Sequence, residues 1–242
     1  MNRFFSIFLI ILVCFLFGPS VQGWAQTASE IEIIFDGSRS MNDAMGGTTK
    51  MDVAKQALTT IANQITAGSK VGLRIFGTTP IQGNIQDSCT DSLLAMPIAP
   101  FEKDQMVGKV LSLQSYGMTA LGYSLEKSAG DFTQGAETKK TIILISDGEE
   151  TCGKDPIAMM ENLKAQGINI TIHSVGFGAS EAAKVQLKKL AEITQGSYRE
   201  AEDASQLQQS LQEVVQKIPE VPQIDLDQDQ SVVFSFFEGE EA

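Results

Sequence analysis

From residue 31 onward the apolar positions fall into short continuous runs, separated by stretches in which they recur every three or four residues. Ile31, Ile33, Ile34 and Phe35 make the first run, and Val71 to Phe76, Thr141 to Ser146 and Ile168 to Phe177 repeat it. Such runs predict strands buried on both faces. Between the first two, Ala54, Ala57, Leu58, Ile61 and Ile65 keep helical spacing behind Thr49-Lys50-Met51-Asp52, which resembles a capping box. Gly68 ends that helix. Thr78 to Pro97 holds turn residues around Ile81, Ile85 and Leu93-Leu94 and predicts a hairpin or a short edge strand. Met106, Val107, Val110 and Leu111 mark an amphipathic stretch over 101–113, and a loop at Ser115 to Thr119 leads into a helix from about Ala120 to Asp131. Asp155-Pro156 starts another helix, stopped by Gly167, and Ser180 opens one that runs to about Thr194. Ser197 to Arg199 reads as a short last strand. Asp203, with Gln206 three residues on, caps a helix striped by Leu207, Leu211, Val214, Val215 and Ile218.

Strands alternating with helices of this length imply an α/β, doubly wound, mostly parallel sheet with helices on both faces. Ligands of such sheets sit beyond the carboxyl ends of the strands, where the winding direction reverses. Asp36 and Asp147 each end a strand that reads as apolar throughout. If those two strands are neighbours across the reversal, both acids face one crevice.

The first of these acids begins Asp36-Gly37-Ser38-Arg39-Ser40. In a loosely extended segment alternate side chains point the same way, so Asp36, Ser38 and Ser40 converge. A carboxylate and two hydroxyls are hard ligands, suited to Mg²⁺, Mn²⁺ or Ca²⁺. The same residues also suit a polar loop whose side chains merely cap backbone groups, and the motif by itself leaves both readings open.

The 242 residues suffice for one sizeable domain, and 43% hydrophobic with 20% charged residues is a globular composition. A formal net charge of −12 argues against a nucleic-acid backbone or an anionic membrane surface as the main partner. At the N-terminus, Arg3, the apolar stretch Phe4 to Phe17 and the break at Gly18-Pro19-Ser20 read as a secretory signal over 1–23. Cleavage would leave a chain beginning near Trp24 or Gln26. The apolar stretch falls short of the ~20 residues of a permanent membrane anchor, and Val13-Cys14 lacks the small-residue context of a lipidation site. These features imply export to the periplasm or beyond the cell. Cleavage leaves Cys89 and Cys152 as the only cysteines, which suits one disulfide, with two separate thiols as the alternative.

The sequence resembles a von Willebrand factor A domain with a metal-ion-dependent adhesion site. Three separated elements carry the likeness: D-x-S-x-S at Asp36, Ser38 and Ser40; a loop threonine before a helix at Thr119; and a strand-ending aspartate at Asp147 in Ser146-Asp147-Gly148. Gly117 to Gly122 and Ser146 to Gly153 are similar to a bacterial exported branch of the family. The likeness covers about Glu30 to Ile218, and the domain is placed at 29–218. Residues 219–242 are expected to form an acidic, flexible tail, whose apolar island Val232 to Phe237 is a candidate for docking on the domain or on a partner. The resemblance implies that Ser38, Ser40 and Thr119 give hydroxyls directly to a divalent cation, Mg²⁺ foremost, while Asp36 and Asp147 hold it largely through water. Neutral direct ligands leave the cation unspent charge and an open position, which an acidic side chain of a protein partner can fill. The implied function is metal-dependent protein recognition or adhesion, without catalysis.

Other motifs add little. Asp43, Glu149 and Glu150 read as solvated loop charges on the same rim, and His173, the only histidine, as a structural strand residue. Gly176-Phe177-Gly178 lacks the rest of a dinucleotide fingerprint, and Gly46 to Lys50 lacks the order of a P-loop. Asn169-Ile170-Thr171 fits a glycosylation sequon, in a segment expected to be a buried strand. A metal-assisted hydrolase and a scaffold subunit of an envelope complex are the competing functions. No nucleophile and base can be paired from the sequence.

Overall fold

The computed structural model describes residues 29–65, 68–81, 85–135 and 138–218; the proposed signal and tail lie outside them. Six strands form one sheet: β1 (Ser29–Asp36), β4 (Lys70–Phe76), β5 (Ser92–Pro100), β6 (Lys139–Ser146), β7 (Thr171–Phe177) and β8 (Tyr198–Ala201). Their order is β5-β4-β1-β6-β7-β8, parallel except for the edge strand β5. The chain builds outward from β1 through β4 to β5, then returns to the other side of β1 for β6, β7 and β8. The winding therefore reverses at β1 and β6, and their carboxyl ends share one crevice. The expected doubly wound sheet is what forms.

Helices α1 (Lys50–Ala62), α3 (Lys103–Leu111) and α7 (Ala204–Lys217) cover one face. Helices α4 (Leu121–Ser128), α5 (Pro156–Ala165) and α6 (Glu181–Ile193) cover the other. Four of the helix starts are capped by the residues that mark them in the sequence. Thr49 Oγ1 accepts from Asp52 N, Asp155 Oδ1 from Ile157 N, Ser180 Oγ from Ala183 N and Asp203 Oδ1 from Gln206 N. Each cap satisfies a first-turn donor that has no intrahelical partner.

Four features depart from the pattern. The segment read as a hairpin or edge strand holds a short helix, α2 (Ile85–Cys89), before β5. A two-residue hairpin, β2 (Ala44–Met45) with β3 (Thr48–Thr49), precedes α1. Ile168 to Ile170 lead into β7 instead of belonging to it. Strand β1 is buried on both faces but is not apolar throughout. Ile31, Ile33 and Phe35 enter the core beneath α1, whereas Glu30 and Glu32 are buried on the opposite face with Ile34. Glu32 accepts from Arg74 Nε at 3.2 Å and from Ser128 Oγ, and Arg74 also binds Asp131. Glu30 accepts from Thr133 N at 2.8 Å and from Lys70 Nζ at 3.3 Å. Buried carboxylates persist only when so satisfied. Here they fasten the end of α4 to β1.

Candidate metal centre

The site is assembled at the carboxyl ends of β1 and β6. Asp36 is the last residue of β1 and fully buried, and Asp147 follows β6 directly at 3% exposure. Asp36 Oδ1 accepts from Ser38 N at 2.7 Å, which folds the strand end back so that Ser38 and Ser40 face inward. Its Oδ2 accepts from Ser146 Oγ. Ser38 Oγ and Ser40 Oγ share a hydrogen bond at 3.2 Å, and Ser40 Oγ donates to Asp147 Oδ1 at 2.7 Å. An unbroken chain of polar contacts thus runs from the strand-ending loop of β1 to that of β6.

Thr119 enters from the loop before α4. That loop is zipped to the first one: Arg39 N donates to Gly117 O at 3.0 Å and Tyr116 N to Gly37 O at 3.2 Å. Gly77, at φ +75°, lies so close to Ser38 that a side chain there would strike the Ser38 backbone. Gly148 is the second glycine that matters. A Cβ there would sit 3.1 Å from Thr119 Oγ1 and 3.8 Å from Ser40 Oγ, so both hydroxyls border the space that its missing side chain leaves. The structure thereby brings Asp36, Ser38, Ser40, Thr119 and Asp147 to one place.

The loops around Thr119 are held from two sides. Thr119 N donates to Thr151 Oγ1 at 2.9 Å, and Thr151 N returns to Thr119 O at 3.1 Å. Met118 N donates to Ser88 Oγ at 2.7 Å on the other side. Cys89, beside Ser88, is bonded to Cys152, beside Thr151, with Cα atoms 5.3 Å apart. The expected disulfide therefore joins the two segments that grip the Thr119 loop. Glu150, expected to be a solvated charge, is half-buried instead, accepting from Gly122 N at 2.7 Å and Cys152 N at 2.6 Å. It is an anchor for the start of α4. Burial pushes its carboxyl up, against the pull of these backbone donors. Asp43 and Glu149 are exposed, as expected.

Two acids in one buried crevice repel. Burial pushes the Asp36 carboxyl up to about 7, with the Asp147 charge adding to the shift and hydrogen bonds from Ser146 and Ser38 opposing it. A divalent cation placed between them would relieve this repulsion. Among the described residues no three His, Cys, Asp or Glu side chains gather as a metal cluster, so the donors on offer are hydroxyls backed by two carboxylates. That set is hard and weakly charged, and it fits Mg²⁺, Mn²⁺ or Ca²⁺.

A model of the von Willebrand factor type A domain matches residues 30–214. The chain belongs to this family. YwmD, an uncharacterized protein of Bacillus subtilis, is 29% identical over 206 residues, covering 84% of this chain and 92% of its own. Among solved structures, the pilus adhesin SpaC of Lactobacillus rhamnosus GG superposes with TM-score 0.61 at 16% identity, over 79% of this chain and 30% of the adhesin. Proximal thread matrix protein 1 from the mussel byssus, with a zinc-occupied MIDAS motif, superposes with TM-score 0.57 at 18% identity, over 78% of this chain and 45% of that one. At such identities both share the fold.

One residue of this VWA domain belongs to the site without standing in any of its sequence motifs. Lys50, the first residue of α1, donates to Asp147 Oδ2 at 2.8 Å and to Gly178 O at 3.0 Å, and its Nζ lies 3.9 Å from Asp43. An ammonium at a helix N-terminus opposes the macrodipole. That mismatch alone does not mark the site, because a solvated lysine tolerates it. Ser146 and Gly148, which flank Asp147 in the third motif element, support the site as well.

Proposed function

We propose that this VWA domain holds a divalent cation, Mg²⁺ foremost with Mn²⁺ or Ca²⁺ as substitutes, on Ser38, Ser40 and Thr119 with Asp36 and Asp147 behind them, and uses it to bind proteins. The observation that carries the reading is the hydrogen-bonded run from Asp36 through Ser38 and Ser40 to Asp147, with Thr119 Oγ1 facing the same gap beside Gly148. The bound cation would supply a positive focus with spare coordination; the hydroxyls hold it while leaving its charge largely uncancelled. An acidic side chain of a partner protein is the complementary group. The site offers no imidazole: His173 lies in β7, bonded to Ser197, which supports recognition over hydrolysis. The MIDAS of the byssus protein and the adhesin role of SpaC agree with this class of function.

Export completes the proposal. The signal-like N-terminus and the Cys89–Cys152 disulfide both suit an oxidising compartment, periplasmic or extracellular. No described helix is long and apolar enough to cross a membrane. The test is capture of envelope proteins from the native host on the immobilised mature protein, with and without chelator. A partner retained in Mg²⁺, released by EDTA and lost with Asp147→Asn supports the proposal. Chelator-independent retention supports a scaffold instead. Turnover of peptide or ester substrates lost with the same substitution supports the hydrolase.

A further inference from the structure

A groove of about 690 Å³ opens among residues near the amino ends of β6 and β7. This volume is in the range of ligand-binding clefts. Four lysines surround it: Lys139 and Lys140 at the start of β6, Lys164 near the end of α5 and Lys217 at the end of α7. Glu161 is the one carboxylate in its lining. None of the four lysines pairs with a carboxylate among the described residues. Burial pushes the His173 imidazole in the same lining down, and the charges of Lys217 and Arg199 push it further. A chain of net charge −12 thus gathers a local excess of positive charge around one cleft. The lining also holds apolar side chains, Met160, Ile168, Ile170 and Ile193, among threonines, Asn169 and Gln195. Lysines beside apolar side chains in one groove fit an extended peptide with alternating acidic and apolar residues.

The chain itself carries such a peptide. Ile218 both lines the groove and ends α7 in an extended conformation, φ −79° and ψ 122°. The sequence continues through Pro219 and Pro222 to Ile224-Asp225-Leu226-Asp227-Gln228-Asp229. From 220 to 229 there are four acids, Glu220, Asp225, Asp227 and Asp229, and no lysine or arginine. A residue before proline is biased toward extended backbone. In an extended segment Ile224 and Leu226 share one face, and Asp225, Asp227 and Asp229 the other. Asp225 lies seven positions beyond Ile218, a reach of up to about 25 Å. We propose that residues 220–229 fold back into the lysine-rimmed groove of their own domain, with the aspartates toward the lysines and Ile224 and Leu226 toward its apolar side chains. Tethering helps, because a segment joined directly to the groove wall is present at millimolar effective concentration, so weak contacts suffice. Acidic peptides of other proteins would then reach the groove only by displacing it.

The test is hydrogen–deuterium exchange of the full mature chain, followed on peptides covering 223–229. In wild type at low salt these amides should exchange about tenfold more slowly than in Lys164→Glu/Lys217→Glu. Protection should fade in roughly 1 M salt, where the Debye length falls to about 3 Å. It should return when Asp225→Lys/Asp227→Lys is added to the double variant. Both lysines are exposed, so an unchanged melting temperature would show that the domain is intact. Wild-type amides that exchange at the unstructured rate would overturn the proposal. Protection that rises with protein concentration would overturn it too, placing the segment in a second copy. Protection indifferent to the lysine substitutions would place it elsewhere on the domain.

Discussion

Lys50 Nζ lies 2.8 Å from Asp147 Oδ2, opposite the oxygen that accepts from Ser40 at 2.7 Å. The ammonium is a tethered cation at the rim of a site that suits a free one. It offsets the charge of Asp147 in the metal-free protein and repels an arriving metal. For a divalent ion at about 5 Å and an effective dielectric between ~20 and ~80 that repulsion is worth roughly 2–7 kcal/mol. Lys50→Met should therefore bind Mg²⁺ or Mn²⁺ at least about tenfold more tightly while melting lower without metal, because Asp147 loses its partner. Calorimetric titration beside melting curves, each with and without metal, reads both effects; weaker metal binding in the variant would make Lys50 a support of the site.

The hydroxyls and the acids should separate cleanly. Ser38→Ala, Ser40→Ala and Thr119→Ala should each lower metal affinity and leave the melting temperature of the metal-free protein within a few degrees. Asp36→Asn should lower the affinity more. It should also raise the melting temperature in EDTA, since it removes one of two like charges from a buried crevice. Thermal melts in EDTA and in Mg²⁺ check the crossing of the two effects.

The disulfide spans 63 residues of sequence. In the chain-entropy model, closing a loop of that size contributes about 4 kcal/mol. At ~2–4 °C per kcal/mol for a domain of this size, Cys89→Ser/Cys152→Ser should melt about 10 °C lower. Because Ser88 and Thr151 hold the Thr119 loop, the variant should also bind metal more weakly at temperatures where it is still folded. Metal affinity equal to wild type would restrict the bridge to a stabilising role.

Glu32 gives the fold a pH dependence of its own. Burial pushes its carboxyl up to about 8, helped by hydrogen bonding and charge from Asp131 and opposed by Ser128 and Arg74. The folded state therefore holds a proton that the unfolded chain has released above its ordinary value of 4.5. Stability is fully present below that value and declines as pH rises through about 8. Glu32→Gln should flatten this decline. Urea midpoints at about pH 5 and pH 9 should differ less in the variant than in wild type.

Periodicity makes the layers legible, because an apolar strand and an amphipathic helix state their own burial. Thr49, Asp155, Ser180 and Asp203 also mark their helix starts, since a cap acts on its own neighbours. The burial of Glu30 and Glu32 in β1 is not legible, because their partners lie 40 to more than 100 residues away, at Lys70, Arg74, Asp131 and Thr133. A buried acid is tolerable only with such partners, and the pattern of one strand does not announce them. The placement of Asp36 and Asp147 in one crevice depends on the winding rule, and the pairing of β1 with β6 supplies it. Lys50 is hidden for the reason Glu32 is: its role is set by a residue 97 positions away.

The most direct measurement is calorimetric titration of the mature, disulfide-bonded protein with Mg²⁺ and with Mn²⁺, beside Asp36→Asn and Ser40→Ala. Wild type should bind a single ion of either metal, Ser40→Ala should bind at least about tenfold more weakly, and Asp36→Asn more weakly still. A wild-type protein that melts cooperatively yet takes up neither ion at millimolar concentration would contradict a metal-dependent site. Undiminished binding in Asp36→Asn would place the ion somewhere other than the crevice between β1 and β6.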